Sequence, residues 1–335
     1  MKRVKVAQFG LGPIGFAALR LAAEQPWIEI VGAVDNDPAK AGRSLAEFTQ
    51  LGSLDGLVVS PTLEEVFRDT QPDVILHTAT SRARATLEQM RPALEFGVSV
   101  ASTCEELIFP ALKVPDLFEE YHALCRHTGA RMVATGVNPG FVMDVLPICL
   151  TGVCRAVEHI RVERVVDAAT RRQPLQAKIG SGQDAAAFEE KLRTGEAGHA
   201  GLRESLALVA HAMGWDLDQI TEMREGVLAK RNIQTEFFSV SAGQVCGIHQ
   251  LAIGTLDGKE KISLELSMYL HAPAPHDLIV VTGQPNLRVA VEGGVAGDEA
   301  TVAALINVVP RLLAAPAGLR LLTELALPAW SGRTA

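Results

Sequence analysis

"VKVAQFGLGPIG", residues 4–15, is the stretch that decides the fold. An apolar run of strand length passes directly into G-x-G-x-x-G, made by Gly10, Gly12 and Gly15. Behind it, "FAALRLAAEQ" repeats apolar residues at helical spacing. Strand, glycine turn and helix in that order open a βαβ unit in which each glycine has a mechanical task. Gly10 permits the tight turn, Gly12 lets backbone amides approach a pyrophosphate, and Gly15 lets the helix lie close on the strand. Pro13 and Ile14 start a helix whose free N–H groups suit that anion.

The alternation continues on the C-terminal side. "IEIVGAVDND" is a second strand and ends in acids; "PDVILHTAT", "VSVAST" and "ARMVATGVNPG" are further short strands. Their near-continuous apolar character suits a parallel sheet buried on both faces. "DPAKAGRSLAEF" is expected to be a helix with Pro38 near its first turn. "ARATLEQMRPALEFG" and "FEEYHALCRHTG" are helices that stop at glycines. The first ~140 residues therefore predict a doubly wound α/β domain.

The pattern then changes. "VEHIRVERVVDA" reads as a strand with polar alternation, and "DAAAFEEKLRTG" and "GLRESLALVAHAMGWDL" as helices. Antiparallel strands follow in residues 234–256, 261–271 and 278–293, joined by "DGK" and "GQP" turns. This part is α+β with a mixed or antiparallel sheet. "GDEATVAALINVVPRLLAAPAG" is helical again up to its prolines. The expected division is 1–138, completed by a C-terminal helix over about 298–335, and 139–297.

Bulk properties narrow the function. Lys and Arg number 31 against 39 Asp and Glu, a net charge of −8, which disfavours nucleic acid and anionic membrane surfaces as partners. No apolar run reaches membrane-spanning length, and the N-terminal segment lacks a signal peptide's long apolar region. The five cysteines form no CxxC and fit reduced, mostly buried thiols in a cytoplasmic protein. The nine histidines form no HExxH and no Cys/His ligand cluster, so no metal is expected.

Asp35 ends the second strand, twenty residues past Gly15. A carboxylate there accepts the ribose hydroxyls of NAD and repels the 2′-phosphate of NADP. Lys40 and Arg43 are near enough in sequence to pair with that phosphate, so NAD is favoured over NADP only slightly. Thr78, Thr80 and Ser81, in "HTATSR", are expected beside the nicotinamide half. His77 reads either as a packed strand residue or as a ligand contact.

Ligands of open α/β sheets bind beyond the carboxyl ends of the strands. Glu105, Glu106 and Asn138 lie beyond two successive strand ends, where an acid and an amide suit an amine substrate. The plain alternative is that the two acids start a helix, where its dipole favours them. As a base toward ammonium, a glutamate faces a gap of about six pKa units, roughly 8 kcal/mol, which burial must narrow. An exposed helix-start glutamate could not do this.

The segments "STCEEL", "GVNPGFVMDVLP", "RRQPLQAKIGSG", "GHAGLRESLALVAHAMGWDLD" and "GVAGDEATVAALINVVP" resemble the 2,4-diaminopentanoate dehydrogenase-like group, which includes the native amine dehydrogenases. The resemblance covers essentially the whole chain. It implies a Rossmann domain followed by a dihydrodipicolinate-reductase-like α+β domain, and a homodimer paired through the second domain's open sheet. It implies reductive amination of a small ketone or aldehyde with ammonia, a catalytic glutamate in Glu105-Glu106, and Asn138, Phe141 and His199 facing the substrate. Rival expectations are a 2,4-diaminopentanoate-type amino acid dehydrogenase, a sugar or polyol dehydrogenase of the glucose–fructose oxidoreductase type, and a non-catalytic dinucleotide sensor. The sugar enzymes carry Glu-Lys-Pro after the fifth strand; here Glu105-Glu106-Leu107 lacks the lysine.

Among other residues, Arg161, Arg164, Arg171, Arg172 and Lys178 read mostly as solvated or interface charges, one of which could bind a substrate carboxylate. Trp215 reads as a helix-end core residue, and Asn307 and Pro310 as packing residues.

Overall fold

The structure is a computed structural model and describes residues 3–332. In chain order the first part contains β1 (Val4–Phe9), α1 (Pro13–Ala23), β2 (Ile28–Val34), α2 (Leu45–Thr49), β3 (Val59–Ser60), α3 (Leu63–Asp69) and β4 (Val74–His77). It continues with α4 (Ala83–Glu95), β5 (Ser99–Ser102), α5 (Pro110–Lys113), α6 (Pro115–Thr128) and β6 (Arg131–Ala134). Next come α7 (Val145–Thr151), β7 (Ala156–Asp167), α8 (Gln173–Lys178), α9 (Ala185–Thr194) and α10 (Leu202–Met213). The strands β8 (Gln219–Leu228), β9 (Ile233–Gln234), β10 (Ser239–Val240), β11 (Val245–Leu256), β12 (Lys259–Tyr269), β13 (His276–Gln284) and β14 (Leu287–Glu292) follow, then α11 (Gly297–Ala314) and β15 (Gly318–Arg320).

These elements form two compact units. One comprises the chain up to Gly140 and from Ala296 onward; the other is Phe141–Val295. The first holds a seven-stranded sheet of order β15-β6-β5-β4-β1-β2-β3, parallel at every pairing. Its order reverses between β1 and β4, so the switch point lies where "FGLGPIG" leaves β1 and "HTATSR" leaves β4. Val6, Val74, Leu76, Ala101 and Val133 on one face pack under Ala18 and Ala22 of α1 and Leu305, Ile306, Val309 and Leu312 of α11. Each fully buried Leu or Ile contributes about 1.5–3 kcal/mol, so α11 is integral to this unit.

The second unit holds a six-stranded sheet of order β14-β13-β7-β12-β11-β8, antiparallel except for β7 with β12. Phe188 and Leu192 of α9 pack on Val245, Ile248, Leu266 and Met268 of its inner face.

Several local expectations need correction. The helix predicted over "DPAKAGRSLAEF" is only α2; Asp37 turns its side chain onto Ala39 N (2.9 Å) and Gly42 takes φ +79, which keeps the segment before Ser44 out of a helix. The last helix crosses Pro310 and ends at Ala314, and residues 318–320 then add an edge strand to the first sheet. The C-terminal helix thus does not extend through 298–335. The strand β8 is an element the sequence reading did not contain. Arg164 is 3% exposed rather than solvated: its Nη1 pairs with the fully buried Asp277 at 2.6 Å and its Nη2 donates to Val295 O at 2.7 Å. Trp215 is half-buried, with Lys261 Nζ over its ring at 5.5 Å, and is not a core residue. Asn307 Oδ1 accepts from Ser331 N at 2.8 Å and so ties the C-terminal segment to α11.

Candidate active site

The glycine turn is built to be close. Gly10 has φ +90, and a Cβ on it would come within 3.0 Å of the Ala79 backbone. A Cβ on Gly15 would lie 1.9 Å from Gly10 O and 2.9 Å from Thr78 Oγ1. Both are demanded by the protein's own contacts. Gly12 differs: a Cβ there would meet nothing within 4 Å. Gly12 caps α1, and no side chain bonds to that helix start. The space in front of Pro13 and Ile14 is therefore an open cradle next to an uncapped helix N-terminus, as a pyrophosphate requires. Beneath the turn, Gln8 is 1% exposed and donates to Gly10 O (3.1 Å) and Thr78 Oγ1 (2.8 Å). Thr78 Oγ1 in turn donates to Gly10 O at 2.9 Å, so its hydroxyl braces the loop. Thr80 Oγ1 accepts from Arg82 N at 3.2 Å, and Ser81 O accepts from Glu106 N at 3.3 Å.

Asp35 sits at the end of β2 and is already engaged. Oδ2 accepts from Leu11 N (2.7 Å) and Lys40 Nζ (3.1 Å), and Oδ1 from Asp37 N (2.9 Å). Burial would raise its carboxyl pKa, but the bonds from Asp37, Leu11 and Lys40 outweigh it and the net pKa is lowered. Three donors on about four lone-pair sites leave room for roughly one more. Arg43 is turned away, bonded to Glu47 Oε2 (2.7 Å) and lying over the Phe48 ring at 4.6 Å.

The two glutamates separate cleanly. Both lie in a single 3-10 turn, Glu105–Leu107, and do not start an α-helix. Glu106 is 9% exposed. Its Oε2 accepts from Ala83 N and its Oε1 from Arg82 Nη1, each at 2.9 Å. It thus caps α4, whose first residue lies 23 positions upstream. The helix-dipole role foreseen for the pair is real for Glu106, but it belongs to another helix. Glu105 is half-buried, and its carboxylate has no hydrogen-bond or ion-pair partner among the described residues. The adjacent Cys104 thiol is buried and pushed up to about 12, mainly by desolvation, so it is no nucleophile.

Asn138 follows β6 and precedes a cis bond to Pro139; Gly140 then takes φ +121, and a Cβ there would strike Gly136 N at 2.4 Å. Glu105, Glu106 and Asn138 thus follow the ends of the adjacent strands β5 and β6. Phe141 and His199 belong to the second unit. Phe141 O accepts from Leu146 N at 2.8 Å, in the turn that leads into α7. His199 precedes α10 on a loop held by Gln250, which is fully buried. Gln250 Oε1 accepts from His199 N (2.6 Å), and Nε2 donates to His199 O (3.1 Å) and Glu222 Oε1 (3.0 Å).

Sequence reasoning passed over Gln8, Gln89, Ser102 and Gln250. A signal existed: each of Gln8 and Gln250 is a lone amide at a covered position of a strand that is otherwise apolar on that face.

A match to the 2,4-diaminopentanoate dehydrogenase C-terminal domain spans residues 141–333, more than half of the chain. The chain belongs to that family. It is 28% identical to the 2,4-diaminopentanoate dehydrogenase of Acetoanaerobium sticklandii over 98% of this chain and 95% of the relative. It is 24% identical to an amine dehydrogenase of Streptomyces virginiae over 93% and 91% of the two chains. The fold is that of the Mycobacterium smegmatis amine dehydrogenase, with TM-score 0.86 and 23% identity over 98% and 97% of the two chains. It also superposes on a dipicolinate-bound dihydrodipicolinate reductase from Paenisporosarcina sp. TG-14 at TM-score 0.52, with 13% identity over 96% and 98% of the two chains. Among the described residues no helix is long and apolar enough to cross a membrane.

Proposed function

We propose that this member of the family is a cytoplasmic NAD(P)-dependent amine dehydrogenase. It aminates a small ketone or aldehyde with ammonia and runs the reverse oxidative deamination. The observation that carries this reading is the unengaged Glu105 carboxylate just beyond β5, on the edge of a sheet whose switch point carries an open glycine cradle. The full-length likeness to relatives of these names supports it.

The residues present fit a nicotinamide dinucleotide. Gly12 and the start of α1 would hold the pyrophosphate, and Asp35 a ribose hydroxyl. The bound nicotinamide supplies or takes the hydride at the carbon that bears nitrogen. Glu105 takes a proton from ammonium or from the carbinolamine as water leaves, and returns one in the reverse direction. In the aminating direction the sum is carbonyl, ammonium, reduced cofactor and one proton to alkylammonium, oxidised cofactor and water. Asn138 orients the substrate or a water, with Phe141 and His199 contributing to substrate binding. NAD is favoured slightly, because Lys40 compensates the charge of Asp35. A homodimer would join through the face of the second sheet turned away from α9 and α10, where Leu251, Ile253, Leu278 and Val280 are half-buried.

A second reading, an amino acid dehydrogenase of the 2,4-diaminopentanoate type, is favoured by the greater identity to that relative. One screen tests both: NADH and NADPH oxidation with ammonia across small ketones, aldehydes and keto acids. Turnover of neutral carbonyls supports the first reading and turnover confined to keto acids the second. Cofactor binding with no turnover on any of them refutes both and leaves the dinucleotide sensor.

A further inference from the structure

Two polar side chains with no exposure stand side by side at the ends of adjacent strands: His77 closes β4 and Ser102 closes β5, in register with it. Their strand neighbours Ile75, Leu76, Val100 and Ala101 are apolar and fully buried. Polar groups in such a place cost free energy unless each is bonded. Here each is. His77 Nε2 lies 3.0 Å from Gln89 Oε1 on α4, and His77 Nδ1 lies 2.9 Å from Ser102 Oγ. Ser102 Oγ accepts the N–H of Cys104 at 3.0 Å. The Gln89 oxygen assigns the ring proton to Nε2, so Nδ1 accepts from the Ser102 hydroxyl. The bonds run one way, from the Cys104 peptide through Ser102 and His77 to α4.

This run of bonds ends on the N–H of Cys104, the residue immediately before Glu105. On the other side of Glu105, the Glu106 carboxylate is bonded to Arg82 and Ala83. The turn is therefore tied to α4 twice, once before and once after the one carboxylate that is left unengaged. A simple core would place two apolar residues at 77 and 102; nothing in the packing of β4 on β5 calls for a hydroxyl. From the reading of Glu105 as the acid/base, we infer that Ser102 and His77 are positioning residues that fix the Cys104 peptide and so hold the Glu105 carboxylate in its reactive place. They touch no substrate and transfer no proton.

The test is a double-mutant cycle between Ser102→Ala and Glu105→Gln, with Ser102→Thr as the variant that keeps the hydroxyl. Readouts are kcat and KM for amination and deamination, NADH affinity by fluorescence, and thermal unfolding. With Glu105 present, Ser102→Ala lowers kcat by about 10–100-fold, the scale of a misplaced catalytic group. KM and NADH affinity change less than about twofold, and Ser102→Thr restores most of kcat. In the Glu105→Gln background Ser102→Ala changes kcat by less than about twofold, since there is no carboxylate left to position. His77→Phe keeps the ring stacked on Phe9 (centroids 5.5 Å apart) and removes Nδ1, and it repeats the pattern should Ser102→Ala not fold. An equal loss in both backgrounds overturns the positioning role while leaving Glu105 as the catalyst. A near-parental Glu105→Gln overturns the catalytic reading and the positioning role with it.

Discussion

The turn that carries Glu105 and the loop that carries His199 are held by opposite means. Glu105 stands between two ties that reach back to α4, one through backbone and buried side chains and one through Glu106. His199 is anchored by the Gln250 side chain, which takes both the N–H and the C=O of this one residue, as a neighbouring strand would. The first arrangement spreads the load, so losing one tie leaves the turn in place and shifts it slightly. The second concentrates two backbone bonds on one amide, so losing Gln250 removes both at once. On the proposed assignment, the group that holds the reacting proton has the first kind of support. On the same assignment, the group proposed to shape the substrate surface relies on the second.

The sharpest way to break this comparison is at the two acids. Glu105→Gln should lower the rate of amination by on the order of 10²–10⁴ with cofactor binding unchanged. Glu106→Gln should keep most of the rate and cost about 1–2 kcal/mol of stability, from the weakened cap of α4 and the lost charge opposite Arg82. Steady-state kinetics and denaturant unfolding of both variants decide it. Near-parental rates in both would leave the pair as structural carboxylates.

The pH dependence of stability probes the buried side of the same turn. His77 is fully buried, and desolvation lowers its pKa from 6.5 to about 4. A base lowered in the folded state contributes its full stability above pH 6.5. Between pH 6.5 and about 4 the unfolded chain takes a proton that the folded one refuses, so stability falls with pH. The difference corresponds to about 3 kcal/mol by pH 4. Urea unfolding at several pH values, compared with His77→Phe, isolates this contribution; an identical slope in the two proteins would mean that His77 is not held neutral. The lowered pKa of Asp35 acts further down, where that carboxylate is protonated.

For the His199 loop, Gln250→Leu should cost about 2 kcal/mol, because two backbone groups and Glu222 Oε1 lose their bonds to its amide. Its kinetic signature should be the reverse of that at Ser102: a KM for the carbonyl raised about tenfold and kcat little changed. A variant that instead lost kcat at constant KM would place His199 in the chemistry.

How far the sequence could be read follows from where each partner lies. The glycine turn was legible because what constrains it is local: Gly10 and Gly15 nearly touch, and the strand and helix flanking them are continuous in sequence. The parallel sheet was legible because its strands are apolar on both faces. The choice between Glu105 and Glu106 was not, since the cap that consumes Glu106 is 23 residues upstream. The strand β8 was missed for a related reason. Its helix-facing positions include Glu222, Arg224 and Gly226, an ion pair at 2.8 Å and a glycine under Phe188, while Met223 points the other way and is 43% exposed. The usual apolar alternation is inverted there. The glutamine that anchors His199 has its partners 51 and 28 residues away, beyond any spacing rule.

The smallest expected effect lies at the ribose end, where local reading and structure must be combined. The sequence reading assigned Asp35 to NAD and left Lys40 and Arg43 as equal candidates for a 2′-phosphate. The geometry ranks them. Arg43 is engaged by Glu47 and Phe48, whereas Lys40 lies on Asp35 itself. Its ammonium, stabilised against burial by Asp35 and Asp37, has its pKa raised and stays charged at neutral pH. With NAD it would remain on Asp35; with NADP it would be the cation beside Asp35 that could turn to the added phosphate. Lys40→Ala removes that cation and bares the Asp35 charge, and both changes work against NADP. The ratio of kcat/KM for NADPH over NADH should fall about tenfold, or about 1.4 kcal/mol. Asp35→Ser should move the same ratio the other way. Fluorescence titration of both cofactors must show the same shift, since the effect is on binding and not on the proton transfer proposed for Glu105. A parent enzyme that already uses NADPH far better than NADH would contradict the assignment of Asp35, and an unchanged ratio in Lys40→Ala would leave Lys40 as a loop ion pair alone.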